Sequence, residues 1–251
     1  RYAVNLVLMT ALLAPFHGRA IARTRRTGLV IVRAFTLALG TLAAAFALQR
    51  MPVAETISII FVAPIVVILA SGPLLGERVS RSGYIAAATG FAGILLIARP
   101  GSGLDPVGVA CALVAMATTS AYQLLSRILT ASESTTALLF YSALVGTILY
   151  GIAAPWFLGG PMPGLFDTLL LISVGAYGGL GHFLFTAAYR HAPASILAPA
   201  NYAQLLWSAL LGWLVFSHIP DEWALTGMAV IAGSGVIAAL GTRRPPVKRS
   251  V

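Results

Sequence analysis

Long apolar runs alternate with short polar gaps along this chain, and that rhythm predicts its elements. Reading from one charged or Pro/Gly-rich gap to the next gives nine runs, lettered A to I: residues 2–16, 29–49, 53–75, 83–98, 104–126, 136–155, 166–187, 194–216 and 223–241. A bilayer core needs roughly 20 apolar residues per helix. Most of the runs meet that length. Run A is short, although Gly18, Ala20 and Ile21 extend it. Unbroken apolar runs this long exceed any ordinary strand, so the expected fold class is an all-α polytopic membrane protein.

The polar gaps assign an orientation. One alternating set carries Arg19, Arg23, Arg25 and Arg26, then Arg78 and Arg81, then Arg127, then Arg190, and ends with Arg243, Arg244, Lys248 and Arg249; the other carries only Arg1, Arg50 and Arg99. That is 12 basic residues against 3. Basic residues concentrate in cytoplasmic loops, so the C-terminus is expected in the cytoplasm. With nine spans the N-terminus then falls outside.

Composition agrees with the pattern. The 251 residues are 59% hydrophobic and only 9% charged, with a mean hydropathy of +0.91. Soluble domains carry about 25% charged residues, so lipid must be the main solvent here. The net charge of +9 would suggest nucleic acid in a soluble protein. Located in the gaps, these charges instead set membrane orientation, and no nucleic acid is expected. Cys111 is the only cysteine, which excludes an intrachain disulfide and a Cys-rich metal site. No cofactor and no metal are expected. Lys248 is the single lysine among 16 basic residues, a bias that suggests a GC-rich bacterial genome and hence a bacterial cytoplasmic (inner) membrane.

The chain also repeats. Displaced on itself by about 140 residues, Ala47-Leu48-Gln49-Arg50-Met51-Pro52-Val53-Ala54 falls on Ala187-Ala188-Tyr189-Arg190-His191-Ala192-Pro193-Ala194. Each segment closes one run, places an arginine in a very short gap, and opens the next run after a proline. Downstream, Leu75-Gly76-Glu77 meets Phe216-Ser217-His218. Runs A, B, C and D thus pair with F, G, H and I. Run E lacks a partner, which leads to the expectation of a further apolar helix before Arg1. Partners cross the membrane in opposite directions. Inverted repeats of this kind belong to secondary transporters.

The residues resemble a known family. Ala47-Leu48, Pro52-Val53-Ala54, Pro64, Leu75-Gly76-Glu77, Gly93 and Arg99-Pro100 look like one EamA unit of the drug/metabolite transporter superfamily. Ala188-Tyr189-Arg190, Ala192-Pro193-Ala194, Pro199, Tyr202, Phe216 and Pro220 look like the second. The resemblance implies ten helices as five plus five, with both termini cytoplasmic. It implies a first repeat over 1–100 lacking its first helix, a second over 104–241, and a basic cytoplasmic tail over 242–251. His218 stands where many members carry an acid. The family spans amino acids, nucleosides, flavins, S-adenosylmethionine and sugars, so membership names no substrate.

Polar groups inside the runs are costly and are functional candidates. Arg33 lies near the cytoplasmic start of run B, where it either snorkels to the headgroups or serves gating and anion attraction. Glu55, near the outer start of run C, is either a first-turn acid favoured by the helix dipole or a proton-coupling carboxylate. Glu77 is expected to pair with Arg78 or Arg81 at the cytoplasmic interface. His182 shares a face of run G with Gly175, Gly178, Gly179, Thr186 and Tyr189, and is either a hydrogen-bonded structural histidine or a solute- or proton-handling one.

Run H carries a polar stripe of Asn201, Gln204 and Ser208, continued by Gly212. Pro199 in H and Pro64 in C mark helix breaks in corresponding runs, a pointer to a transporter's binding site. The amides alternatively tie helices together. Run E adds Thr118, Thr119, Tyr122 and Ser126, with Gln123 at the stripe's edge; Tyr141 and Tyr177 are further aromatics within spans. The expected solute site lies at mid-depth among Asn201 and Gln204, Tyr122, and His182. Neutral hydrogen-bonding groups and aromatics suit an organic solute better than a bare ion.

Function follows from these features. A carrier moving a small organic metabolite by alternating access is expected, ion-coupled or facilitative because no P-loop is present. Its partners are the solute and the bilayer, and a homodimer is left open. A non-transporting structural membrane protein is the alternative. An intramembrane enzyme fits less well: no nucleophile motif frames Ser173 or Ser234, and HExxH is absent.

Overall fold

The apolar rhythm becomes helix throughout. The computed structural model describes residues 1–77, 79–98, 103–157, 159, 164–216 and 221–241. The α-helices are α1 (Tyr2–His17), α2 (Thr27–Arg50), α3 (Val53–Ile60), α4 (Ala63–Leu75), α5 (Arg81–Ala98) and α6 (Pro106–Leu129). They continue as α7 (Thr135–Phe157), α8 (Leu165–His191), α9 (Ala194–Ala200), α10 (Ala203–Phe216) and α11 (Glu222–Gly241). A 3-10 turn over Gly18–Ala22 follows α1, and no strand occurs among the described residues.

Among the described residues, five segments are long and apolar enough to cross a membrane: Thr27–Arg50, Glu55–Leu75, Pro106–Leu129, Thr135–Trp156 and Leu165–His191. Large apolar side chains such as Leu170, Leu171, Val174, Leu180 and Leu184 on α8 are exposed. In water such a face would drive aggregation; facing lipid tails it is at home. The protein is an all-α polytopic membrane protein.

Runs C and H are each two helices, and the proline chemistry explains why. Pro64 has no N–H, so the carbonyl of Ile60 loses its usual donor. The next amide, Ile65 N–H, turns back to Val62 O at 3.0 Å, which leaves Phe61 O outside the helical ladder. In run H the turn after Pro199 tightens to three-residue spacing: Asn201 N–H bonds Ala198 O, Tyr202 N–H bonds Pro199 O, and Gln204 N–H bonds Asn201 O. The breaks fall at 61–62 and 201–202.

The chain folds as two compact units. The first comprises Arg1–Leu42 and Ala121–Ala192, the second Ala43–Ser120 and Pro193–Val251. In the first, α1 lies in a groove cut by glycines. A Cβ on Gly146 would stand 2.4 Å from the Tyr2 ring, and one on Gly179 would stand 2.4 Å from Asn5 Oδ1. The core there includes Val30, Leu129 and Leu138.

In the second unit, Phe61, Ile94, Tyr202 and Ile231 form one buried cluster and Ala47, Met51 and Ala112 another. Helices α5 and α11 touch backbone to backbone. A Cβ on Gly93 would lie 2.8 Å from Gly227 O, and one on Gly227 2.6 Å from Gly93 O.

Candidate functional site

Arg33 sits six residues into α2, about 9 Å along its axis. Such a guanidinium carries five N–H donors in a rigid planar fork. Its relative exposure is 0%, so the snorkelling expectation fails: the side chain turns into the first unit instead of towards headgroups.

The reason is a set of acceptors matched to the fork. Nε donates to Ser126 Oγ at 2.8 Å. Nη1 donates to Leu138 O at 3.1 Å and to Ser142 Oγ at 2.9 Å. Nη2 donates to Tyr122 OH at 3.0 Å and to Thr186 Oγ1 at 2.9 Å. All five donors are used. The guanidinium carbon also lies 4.5 Å from the Tyr122 ring centroid, a cation–π distance.

The hydroxyls are oriented for this work. Ser126 donates its own proton to Tyr122 O at 2.6 Å and Ser142 donates to Leu138 O at 2.9 Å, so both present lone pairs to Arg33. Helices α2, α6, α7 and α8 all contribute. Among the described residues, no carboxylate contacts Arg33. Its hydrogen bonds are satisfied, but its charge is not neutralised.

The network continues to His182. Tyr122 OH lies 3.3 Å from His182 Nδ1, and the two rings meet edge-on at 6.1 Å. Phe185 stacks on Tyr122 at 6.4 Å. Tyr122 is buried and His182 half-buried. Gln123, next in sequence to Tyr122, points elsewhere: it is buried and accepts the Tyr189 hydroxyl at 3.3 Å.

Glu55, Pro64, Pro199, Asn201, Gln204 and Ser208 lie in the second unit. Glu55 occupies the first turn of α3 and is half-buried. Asn201 is half-buried at the α9–α10 break, while Gln204 is exposed in the first turn of α10. A straight-helix projection puts these amides on one stripe, but the three-residue spacing at the break rotates one relative to the other. The side chain of Ser208 lies outside the described residues. Pro64 and Pro199 are both buried.

Two acidic residues have roles that sequence reasoning missed. The buried Glu133 carboxylate accepts Arg25 N–H at 3.0 Å from both oxygens and Arg26 N–H at 2.7 Å, at the start of α2. Arg190 reaches the Glu133 carbonyl and Thr135 Oγ1. Glu77 accepts Ala194 N–H at 3.0 Å and Ser195 N–H at 3.1 Å at the start of α9. Each acid satisfies orphan donors at a helix start and complements its dipole. Ser142 was also missed. A signal existed for it: a buried arginine demands five acceptors, so hydroxyls in neighbouring spans were candidates for its shell.

At the second unit's breaks, Tyr202 OH donates to Phe61 O at 3.3 Å and the two rings stack at 6.1 Å. The carbonyl freed by one break is thus served by the residue at the other. A Cβ on Gly90 would lie 2.3 Å from the Tyr202 ring; only glycine lets the ring in.

Multiple spans, two helices broken within the bilayer-crossing runs and a charged polar network inside define a membrane transporter. The chain belongs to the EamA-like transporter family, which matches residues 1–99 and 106–240. It is similar to a riboflavin transporter of Brucella anthropi, 29% identical over 94% of this chain and 84% of that one. An S-adenosylmethionine uptake transporter of Rickettsia bellii is 27% identical over 86% of this chain and 74% of that one. A pseudopaline exporter of Pseudomonas aeruginosa is 28% identical over 97% and 84%. A solved crystal structure superposes with a TM-score of 0.84 at 21% identity, over 97% of this chain and 86% of the other, which shows the shared fold. Together these make the protein a multi-pass membrane transporter of a small metabolite.

Proposed function

We propose that the protein is a carrier that moves a small organic metabolite across the bacterial cytoplasmic membrane by alternating access, either ion-coupled or driven by the solute's own gradient. The observation that carries this reading is the pair of helix breaks at 61–62 and 201–202. Interrupted helices in corresponding runs of an inverted repeat are a mark of carriers rather than of static scaffolds. The relatives differ in solute and in direction, so neither follows from them. In the first unit, Tyr122 and His182 are the proposed solute-contacting groups. In the second, Asn201 is a separate candidate, with Glu55 a coupling candidate.

The experiment is a thermal-shift screen of purified protein against metabolites, beginning with riboflavin and S-adenosylmethionine, followed by counterflow in proteoliposomes. A bound solute raises apparent stability by about 2.7 kcal/mol at 100 times its Kd. A carrier loaded with unlabelled solute accelerates entry of the labelled one. Binding without accelerated exchange would reject alternating access, and no binding across the screen would favour a structural role.

A further inference from the structure

The Arg33 network has a direction. Arg33 Nη2 donates into Tyr122 OH, so the hydroxyl's proton is free for His182 Nδ1, 3.3 Å away. With Nδ1 accepting, the imidazole hydrogen sits on Nε2, which has no protein partner among the described residues. The chain of bonds therefore starts at a buried cation and ends at a half-buried N–H donor. Bonds in such a series polarise one another in the same sense. The open end is suited to an acceptor carrying negative charge; a cation arriving there would meet a proton and a positive field.

Charge balance points the same way. The first unit contains two acidic residues, Glu133 and Asp167. Glu133 is engaged at the start of α2, about 10 Å along that helix from Arg33. Asp167, in the first turn of α8, lies 19 residues before Thr186, about 28 Å along that axis. Neither is placed to neutralise Arg33 by contact. Arg1 is a further positive charge in the same unit: its side chain lies 3.4 Å from where a Gly178 Cβ would be, one turn before His182.

From this polarity we infer that the transported solute is an organic anion, and that its oxyacid group, a carboxylate or phosphate, is received at His182 Nε2 with Arg33 supplying the field through Tyr122. The inference rests on the carrier reading and deepens it. Arg33 does not touch the anion; it is a positioning residue that acts through Tyr122. A unit charge about 8 Å away in a medium of effective dielectric 20 shifts binding by roughly 30-fold. A hydrogen bond to a charged acceptor contributes a further factor of roughly 10 or more.

The test uses a bacterial metabolite extract divided by anion exchange into retained and flow-through fractions, with riboflavin added as a neutral probe. Proteoliposomes holding the full chain are incubated with each fraction, and their contents are identified by mass spectrometry against protein-free vesicles. Accumulation of a solute from the retained fraction is expected, with apparent affinity weakened roughly 10-fold or more by His182→Leu at unchanged melting temperature, and by Tyr122→Phe, which also strips one acceptor from Arg33 and lowers the melting temperature. Arg33→Gln should weaken it roughly 30-fold; if that variant fails to fold, the other two decide.

Accumulation from the flow-through alone, or of riboflavin alone, overturns the anion assignment while leaving the carrier reading intact. Anion uptake that survives both His182→Leu and Tyr122→Phe overturns the site. Accumulation of nothing from either fraction defeats the carrier reading, and this inference with it.

Discussion

A buried arginine in a membrane protein must be solvated by something, and here neutral groups do it. Breaking such a set is expensive because each group left without a partner costs about 1–3 kcal/mol. Lysine offers three donors on a single nitrogen where arginine offers five in a plane. Arg33→Lys therefore strands at least two of the acceptors at Ser126, Leu138, Ser142, Tyr122 and Thr186. The expected loss is about 2–6 kcal/mol, read as a lower melting temperature in a single detergent; an unchanged melting point would show that the network carries little stability. The position of Arg33 inside a span was plain in the sequence, yet its destination was not. A helical projection says which face a residue occupies but not which hydroxyls from α6, α7 and α8 meet that face. Snorkelling is the ordinary outcome near a helix start, and only the five-acceptor shell reverses it.

At the scale of helices, the breaks in runs C and H were legible and their coupling was not. Proline removes a donor wherever it stands in a helix, so Pro64 and Pro199 announce freed carbonyls without any tertiary knowledge. What receives those carbonyls depends on packing. Phe61 and Tyr202 are 141 residues apart, the spacing that also brings Leu75-Gly76-Glu77 onto Phe216-Ser217-His218. Equivalent positions of the sequence repeat thus stack on each other, and one hydroxyl closes the gap left by the other's break. Tyr202→Phe keeps the ring in the Gly90 notch and the stack on Phe61, but leaves Phe61 O without its donor in a region away from water. A loss of about 1–3 kcal/mol is expected, measured by chemical unfolding in mixed micelles. No loss would mean that the carbonyl finds water, and hence that the break is wet. The caps by Glu77 and Glu133 were illegible for a related reason: each carboxylate serves a helix start more than 100 residues away, and no local spacing reveals that.

At the scale of the whole chain, the two compact units divide the helices in a way that respects the repeat pairing. Runs A, B, F and G lie in the first unit or largely so, and C, D, H and I in the second, with E contributing to both. Runs displaced by about 140 residues therefore share a unit, as Arg33 of B with Thr186 of G and Gly93 of D with Gly227 of I illustrate. Pairing of this kind requires that partners enter from opposite sides if the repeats are inverted, so orientation is the decisive measurement. By the charge rule, the arginine-rich gaps predict Ser80 and Ala131 in the cytoplasm and Gly159 and Glu222 outside. All four positions are exposed, and Cys111 is the single native cysteine to remove. In a Cys111→Ala background, single cysteines at Ser80 and Ala131 should react with a membrane-impermeant maleimide only in inverted vesicles. Those at Gly159 and Glu222 should react only in right-side-out cells. Reversal at all four sites would keep the helix count and invert the charge rule. Reversal at only one or two would remove a span from the map, and the antiparallel pairing of the repeats would fall with it.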